Sequence, residues 1–352
     1  MRLSLIIPCY NVAAIVERTL LTLTNQSIND LEIICIDDRS TDNTLEILKR
    51  IAKNDLRVRV IQNDDPMGMG YTCNRGIDLA TGDFVAFVEP GDLVESDFYY
   101  KLITAAKKND LPVVCGDVVV HDFVGKKHKT ECDKIDKNYH YFYRYYAAVY
   151  YRDYLNRFNI SFAKSSVLSD APFVAMAKLY MPAPIKRVRG TCYHRCHNIQ
   201  SADTTYVPME KIDEMMDAFA RVIDVYNMVP ANRITPDDYA IGVDFALNRV
   251  ISQISTAHDA CAKKIATRLC EIFPKILFVH TIMFDQYPMA QAINNGDIES
   301  VVEIAKSSRW FYRTYKLPII NRPIATMKYN SRKKIIRLFG IKIWEINTDA
   351  CL

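Results

Sequence analysis

Short apolar segments alternate with helical patterns along the first 90 residues, and this alternation limits the possible folds more than any other feature of the chain. Strands that are apolar on both faces are typical of a parallel sheet with helices packed on each side. The pattern therefore predicts a doubly wound α/β domain with a mostly parallel sheet, in which ligands bind beyond the carboxyl ends of the strands. The predicted strands are Leu3–Pro8, Leu31–Ile36, Val58–Ile61 and Phe84–Val88, and the predicted helices are 13–25, Leu45–Ala52 and 71–80.

Polar residues follow three of these predicted strands at the points where the strands end. An aspartate or asparagine in such a place is often only a turn residue or a helix cap, so each group alone has a structural explanation. Because the carboxyl ends of parallel strands meet at one edge of a sheet, the three groups together favour a ligand site. They are Pro8, Tyr10 and Asn11 after the first strand, Asp37 and Asp38 after the second, and Glu89 and Asp92 after the fourth.

The C-terminal segment is strongly basic. Residues 306–352 contain 11 lysine and arginine residues and two acidic residues, a net charge of +9 in a chain whose total is +4, so the preceding residues carry −5. Aromatic and aliphatic residues interleave with the basic ones, a composition that suits an anionic membrane interface. The same composition suits RNA phosphates, but no nucleic-acid-binding motif accompanies it. We predict an anionic membrane surface as the partner of residues 306–344; a solvated helix face packing on the rest of the chain is the structural alternative.

The remaining regions are less informative. Residues 207–305 show a helical pattern without recognisable motifs, and residues 139–158 contain eight tyrosines, a composition more typical of a core than of a recognition site. We predict three parts: an α/β domain over 1–206, a helical domain over 207–305 and a basic amphipathic tail over 306–352.

Two further patterns bear on the compartment and on metal binding. No apolar stretch is long enough to cross a membrane, and the N-terminal apolar run is too short for a signal peptide, which predicts a cytoplasmic protein. The ten cysteines form no CxxC pair. The cluster of cysteine and histidine over Cys192–His197 lacks a second ligand pair, so we do not predict a zinc site there.

An ordered series of segments runs through the N-terminal half of the chain: Ser4–Asn11, Gln26–Ser27, Ile33–Thr44, Gly68 with Asn74–Gly76, and Gly82–Val88. This series resembles the family 2 glycosyltransferases of the GT-A fold, nucleotide-sugar-dependent enzymes of bacterial surface-glycan assembly. The resemblance covers roughly residues 1–120 and extends more weakly to 203.

The resemblance implies which residues bind the nucleotide-sugar. Asp37 and Asp38 match an acidic pair that contacts the base and the ribose, as carboxylates can accept from an imide N–H or a hydroxyl. Tyr10 can stack on the base, and Arg75 is a suitable partner for an anionic donor. The full implied set is Pro8, Tyr10, Asn11, Asp37, Asp38, Arg75 and Glu89.

The expected metal motif is altered in this chain. The family usually has Asp-x-Asp after the fourth strand, where a divalent cation offsets the charge of the departing diphosphate. Here the aligned residues are Glu89-Pro90-Gly91, followed by Asp92. The resemblance implies Mn²⁺ or Mg²⁺ held by Glu89, Asp92 and His197. A Pro-Gly turn with flanking acids, weaker metal binding or an inactive site are the alternatives.

A catalytic base is implied by the segment Ser169–Phe173, which resembles the family's Glu-Asp-x-x-Phe. Asp170 matches the aspartate that deprotonates the acceptor hydroxyl in an inverting transfer. Its structural alternative is a cap for a helix that begins near Pro172.

These features together predict an inverting glycosyltransferase, bound peripherally to the inner face of the cell membrane. It would move a sugar from a nucleotide-sugar, expected to be a UDP-sugar, to a lipid-linked, lipopolysaccharide or capsule-type acceptor. One alternative is a degenerate, non-catalytic scaffold subunit at the membrane. The other is a nucleotidyltransferase, which is less favoured because Pro8–Val12 lacks the glycine-rich basic loop usual in those enzymes.

Overall fold

A computed structural model of the chain describes residues 2–121, 144–165, 167–181, 185–196, 207–229, 236–275, 288–307, 311–316, 323–329, 333–338 and 341–347. The strands of the first sheet are β1 (Leu3–Cys9), β2 (Leu31–Asp37), β3 (Val58–Gln62), β4 (Phe84–Phe87), β5 (Leu93–Val94), β6 (Val113–His121), β7 (Ala148–Tyr151) and β8 (Lys186–Cys196). The helices are α1 (Val16–Thr24), α2 (Thr44–Asn54), α3 (Met69–Leu79), α4 (Phe98–Asn109), α5 (Arg152–Arg157), α6 (Asp170–Leu179), α7 (Ile212–Met228), α8 (Pro236–Thr256), α9 (Asp259–Ile272), α10 (Pro288–Asn294) and α11 (Ile298–Ser307).

The predicted α/β architecture is confirmed. The eight strands form one sheet in the order β3-β2-β1-β4-β7-β6-β8-β5, and β1 pairs in parallel with both β2 and β4. The four predicted strands and three predicted helices lie at the expected positions, with small differences at their ends. Their apolar side chains are buried because helices cover both faces of the sheet.

The topology brings several chain segments to the edge where β1, β2, β3 and β4 end. The strand β7 is antiparallel to β4, so the residues that lead into β7 lie beside the carboxyl end of β4. The strands β6 and β8 are parallel to each other, and β6 is antiparallel to β7. The carboxyl end of β8 therefore lies at the same edge.

The predicted helical region is also confirmed, since helices α7 to α11 occupy most of 212–307. One continuous cluster of buried hydrophobic residues extends from Leu3 to Ala305 and includes both the sheet and these helices. The domain boundary at 206 stays a prediction.

The basic tail forms strands, not the helix of the structural alternative. Four antiparallel strands make a second sheet: β9 (Phe311–Lys316), β10 (Pro323–Tyr329), β11 (Lys333–Leu338) and β12 (Ile341–Asn347). Within the part of the chain described above, no helix is both long enough and apolar enough to span a membrane.

The buried carboxylate of Glu32 joins strands at the opposite edge of the first sheet. It accepts hydrogen bonds from Ser4 Oγ at 2.5 Å, the Thr81 backbone N–H at 2.7 Å and Arg59 Nη1 at 2.9 Å. Burial raises the pKa of Glu32, but the hydrogen bonds from Ser4, Thr81 and Arg59 outweigh it and lower the pKa to about 2. Because the pKa is depressed in the folded state, this carboxylate stabilises the fold above its unfolded pKa and loses that effect as the pH falls towards 2.

We expect Glu32→Gln to lower the free energy of unfolding by about 2 kcal/mol at pH 7. The difference from the unsubstituted chain should shrink below about pH 4, because Glu32 of the unfolded state then becomes protonated. Denaturant unfolding at several pH values measures both effects. The control is Glu17→Gln, which removes an exposed ion pair to Arg50 and should have little effect. A decrease in the free energy of unfolding of Glu32→Gln that does not vary with pH would contradict this account.

Candidate functional site

The ends of β1 and β2 are tied together by the side chain of Asn11. Its Oδ1 accepts from the Thr41 N–H at 2.8 Å, and its own N–H donates to Ser40 Oγ at 3.0 Å. Asn11 adopts a left-handed conformation, with φ 52°. Beside it the ring of Tyr10 is 53% exposed, an unusual exposure for an aromatic side chain and one that leaves the ring accessible for stacking.

Asp37 is fully buried at the end of β2, and its two carboxylate oxygens differ. Oδ2 accepts from Gln62 Nε2 at 2.9 Å and from the Ser40 N–H at 3.3 Å. Oδ1 is buried and has no hydrogen-bond partner among the described residues. An acceptor of this kind is costly unless a ligand or water donates to it.

Asp38 has a different environment from its neighbour. Its Oδ1 accepts from Asn63 Nδ2 at 2.6 Å and from the Met67 N–H at 2.8 Å. Its Oδ2 accepts from the Gly68 N–H at 2.7 Å. Asp38 therefore holds the loop between β3 and α3.

Arg75 contacts the residues at the start of this loop. Its Nη1 donates to the backbone oxygen of Gln62 at 3.0 Å and to Asn63 Oδ1. Asn63 thus links the two predicted residues Asp38 and Arg75, a position that no sequence motif indicated.

Glu89 follows β4 and lies against the tyrosine-rich segment. Its Oε1 accepts from Tyr145 Oη at 2.7 Å, and its backbone N–H donates to Tyr193 Oη at 3.2 Å. Tyr145 and Tyr146 are buried, as the composition of 139–158 predicts for the described part of that segment. The ring of Tyr145 packs against Phe87 of β4, with centroids 5.8 Å apart, and Tyr146 packs against Tyr145.

Asp92 points into the protein. Its Oδ2 accepts from Tyr193 Oη at 2.7 Å, its Oδ1 accepts from the Cys196 N–H at 2.9 Å, and the residue is 2% exposed. Burial and the charge of Glu89 raise its pKa to about 7, although the hydrogen bonds from Tyr193 and Cys196 lower it.

The predicted metal ligands fit a divalent cation poorly. Asp92 uses both oxygens within the protein, and Glu89 already accepts from Tyr145. Among the described residues, no three His, Cys, Asp or Glu side chains are grouped so as to hold a metal ion. His197, the third predicted ligand, lies outside the described residues.

Asp170 is the first residue of α6, and the helix is anchored below the end of β4. Phe173, one turn further along, packs against Phe87 of β4 with ring centroids 5.4 Å apart. The side chain of Asp170 is 14% exposed, and its Oδ1 accepts from Arg249 Nη1 at 2.8 Å. Because the helix begins at Asp170 itself, its N-cap is Ser169, whose side chain makes no capping hydrogen bond.

Packing brings Asp170 and Glu89 close to the same residues. Ser169, which precedes Asp170, packs against Gly70 of α3, and Tyr145 Oη reaches both Met69 Sδ and Glu89 Oε1. Burial raises the pKa of Cys73, and the charges of Glu89 and then Asp170 raise it further. The pKa of Tyr145 is raised by burial, by Glu89 and, more weakly, by Asp170. The residue that resembles a catalytic base therefore lies near the end of β4, at the edge where β1 and β2 also end.

Two arginines approach this edge, and the sequence motifs had indicated Arg195 but not Arg144. Arg144 and Arg195 lie over the ring of Tyr146, with guanidinium carbons 5.7 Å and 5.5 Å from its centroid. Arg249 was likewise missed, because it belongs to α8, within the region without motifs. The contacts of Arg144 and Arg249 leave no local signal in the sequence.

Comparison with known proteins identifies relatives of the N-terminal half. Residues 4–164 match the model of glycosyl transferase family 2. An uncharacterised glycosyltransferase of Escherichia coli, YibD, is 42% identical over 112 residues, which are 32% of this chain and 32% of YibD. The GalNAc(5)-diNAcBac-PP-undecaprenol beta-1,3-glucosyltransferase of Campylobacter jejuni is 35% identical over 92 residues, 26% of this chain and 30% of that protein. The chain spans about a third of the length of the first curated relatives it matches.

The whole fold resembles a solved structure. The Staphylococcus aureus TarS fragment 1–349, solved in complex with UDP-GlcNAc, superposes with a TM-score of 0.69 and 18% identity. The superposition covers 90% of this chain and 95% of that fragment. At this identity the likeness shows a shared fold, which includes the helical region that follows the sheet.

Proposed function

Because residues 4–164 form a glycosyltransferase family 2 domain with the GT-A fold, we propose that this chain is an inverting glycosyltransferase. It takes a sugar from a nucleotide-sugar and attaches it to a glycan acceptor. The observation that carries the proposal is the packing of the segment of Asp170 against β4 and α3, close to Glu89, at the edge where the polar ends of β1 and β2 meet. The proposed base Asp170 then lies next to the proposed nucleotide-binding edge of the sheet.

Asp170 acts as the general base in the proposed reaction. Its carboxylate takes the proton of the acceptor hydroxyl while that oxygen forms a new bond to the anomeric carbon. The bond from the anomeric carbon to the diphosphate oxygen breaks at the same time, and its electron pair leaves with the nucleoside diphosphate. Arg249 binds Asp170 Oδ1 and so leaves Oδ2 to receive the proton.

The donor we propose is a UDP-sugar. The unpartnered Oδ1 of Asp37 suits the imide N–H of a uracil ring, and the exposed ring of Tyr10 suits stacking on the same base. The complex of TarS with UDP-GlcNAc supports this choice, since the two proteins share the fold.

The acceptor we propose is lipid-linked or part of a cell-surface glycan. The name of the Campylobacter jejuni relative describes an undecaprenol-linked acceptor. Such an acceptor lies at a membrane, which gives the basic tail a role in holding the enzyme there.

A donor screen tests the proposed function. The purified chain is incubated with undecaprenyl-linked glycans and a panel of sugar nucleotides, and release of the nucleoside diphosphate is measured. We expect release of UDP with at least one UDP-sugar. Release of pyrophosphate would favour a nucleotidyltransferase, and failure to bind any nucleotide would favour a scaffold subunit.

The composition of the second sheet supports a membrane-binding role for the tail. Met327, Ile336 and Trp344 pair across three neighbouring strands, and Met327 pairs with Arg313 of β9 on its other side. Basic residues interleave with apolar ones along these strands, a composition that suits an anionic membrane interface.

We expect the triple variant Lys328→Gln, Arg337→Gln and Lys342→Gln to weaken binding of the full chain to phosphatidylglycerol vesicles about 100-fold, at about 1 kcal/mol for each basic residue. Vesicle co-sedimentation measures this partition. The control removes three basic residues of α9, Lys263, Lys264 and Arg268, and should bind as the unsubstituted chain does. Equal loss in both triple variants would show that only net charge matters and would contradict a specific role for the tail.

A further inference from the structure

Among the described residues, the end of β4 offers few oxygen ligands that could hold a cation against a diphosphate. The carboxylate of Asp92 is directed into the protein, where Tyr193 and Cys196 occupy its oxygens. Glu89 is the remaining described carboxylate of this turn, and Tyr145 donates to it. Hard divalent cations need several oxygen ligands, of which one or two are normally carboxylates that face the substrate.

The backbone conformation at Gly91 also does not suit the second aspartate of the Asp-x-Asp motif. Gly91 has φ +101°, a conformation that an aspartate would adopt only with strain. A Cβ atom there would also lie 3.2 Å from Ile15 Cδ1, and Arg18 Nη2 donates to the Gly91 oxygen at 2.9 Å. The turn is therefore built around glycine.

Two arginine side chains bring positive charge to the same edge of the sheet. Arg144 precedes β7, Arg195 is the last residue but one of β8, and the two guanidinium groups approach the ring of Tyr146. Tyr146 is 5% exposed, so its ring is a rigid support for both. Tyr146 also stacks on Tyr193, with ring centroids 5.2 Å apart, and Tyr193 Oη donates to Asp92 Oδ2 at 2.7 Å. The two arginines therefore lie beside the altered turn.

We propose that Arg144 and Arg195, supported by Tyr146, bind the diphosphate of the donor in place of a divalent cation. The inference rests on the proposed function, since it assigns the diphosphate part of that donor. When the bond from the anomeric carbon to the diphosphate breaks, the electron pair adds negative charge to the leaving oxygen. Two guanidinium groups can offset that charge with bidentate hydrogen bonds, and the proton of the acceptor goes to Asp170 as before.

The first experiment measures UDP binding by calorimetry with excess EDTA and, separately, with Mn²⁺. We expect dissociation constants that agree within about threefold. Binding that appears only with Mn²⁺ would overturn the inference and leave the proposed function standing. No UDP binding under either condition would overturn both.

The second experiment compares Arg144→Gln and Arg195→Gln with the unsubstituted chain, in EDTA. Each should weaken UDP binding about tenfold, because each removes a charge-assisted contact, while uridine, which has no phosphate, should bind unchanged. Arg144→Lys and Arg195→Lys should recover part of the affinity. Equal loss of uridine and UDP would show that the arginines support the fold only, and would overturn the inference.

A matched control is available in Arg157→Gln. Arg157 lies over the ring of Phe158 at 5.5 Å, so it makes the same kind of contact with an aromatic ring, away from the strand ends. It should leave UDP affinity unchanged. A loss in this control equal to the loss in Arg144→Gln would also count against the inference.

Discussion

The Asp170→Asn variant is expected to lose sugar transfer by about a thousandfold while it keeps its affinity for UDP. Asparagine has the same shape and can still accept the hydrogen bond that Arg249 donates at 2.8 Å. It cannot take up a proton at neutral pH, so the acceptor hydroxyl is no longer activated. The loss should appear in the maximal rate of nucleoside diphosphate release, and the UDP dissociation constant should change less than about twofold.

The matched control for this variant is Asp259→Asn. Asp259 is also the first residue of a helix and also pairs with a basic side chain, Lys306, but it is exposed and lies in the helical region. Its replacement should leave the transfer rate unchanged. If Asp170→Asn turned over at the normal rate, Asp170 would be only a structural partner of Arg249, and another base would be needed.

The contacts of Asp170 also give the helical region a role. Arg249 of α8 binds the carboxylate directly, and Arg221 of α7 donates to Ser161 Oγ at 2.9 Å and to the Phe162 oxygen at 3.3 Å. Phe162 stacks on Phe173, the residue that anchors α6. The helices after the sheet therefore support the segment that presents the proposed base.

The parts of this arrangement that could be predicted from sequence are those with a local cause. Continuous apolar runs predict buried parallel strands, and the ends of such strands meet at one edge whatever the other details of the fold. Arg249 and Arg144 could not be predicted in this way. Each reaches the site through tertiary packing, from a helix without motifs and from a segment whose tyrosines indicate only a core.

The basic tail shows a second limit of sequence interpretation. Its alternation of basic and apolar residues is compatible with an amphipathic helix and with an amphipathic strand, and the composition alone does not separate them. The described strands β9 to β12 include many β-branched and aromatic residues, such as Ile335, Ile336 and Tyr315, which favour a sheet. Local propensity was the informative signal here, more than the total charge.

Asp37 and Asp38 are adjacent aspartates that the sequence does not distinguish. Their structural environments predict that replacing Asp37 affects ligand binding and replacing Asp38 affects stability. Asp37→Asn should weaken binding of both UDP and uridine by about tenfold or more, since a charge-assisted contact to the base is lost. The buried Oδ1 without a protein partner is the atom that we assign to the base. Calorimetry with UDP and ligand-observed NMR with uridine measure the loss, and the thermal midpoint should change little.

Asp38→Asn should instead destabilise the fold by about 2 kcal/mol, because an amide group cannot accept from Asn63 and from the two backbone N–H groups of Met67 and Gly68 at once. Any loss of UDP affinity should come from displacement of the loop between β3 and α3, and the affinity should recover at lower temperature. Loss of uridine binding in Asp38→Asn alone, with Asp37→Asn unaffected, would reverse the assignment of the base contact. A comparison of Asp37→Asn with Arg144→Gln separates two parts of the donor site. Asp37→Asn should weaken uridine binding, and Arg144→Gln should not. The base and the diphosphate would then be bound by different groups on one edge of the sheet.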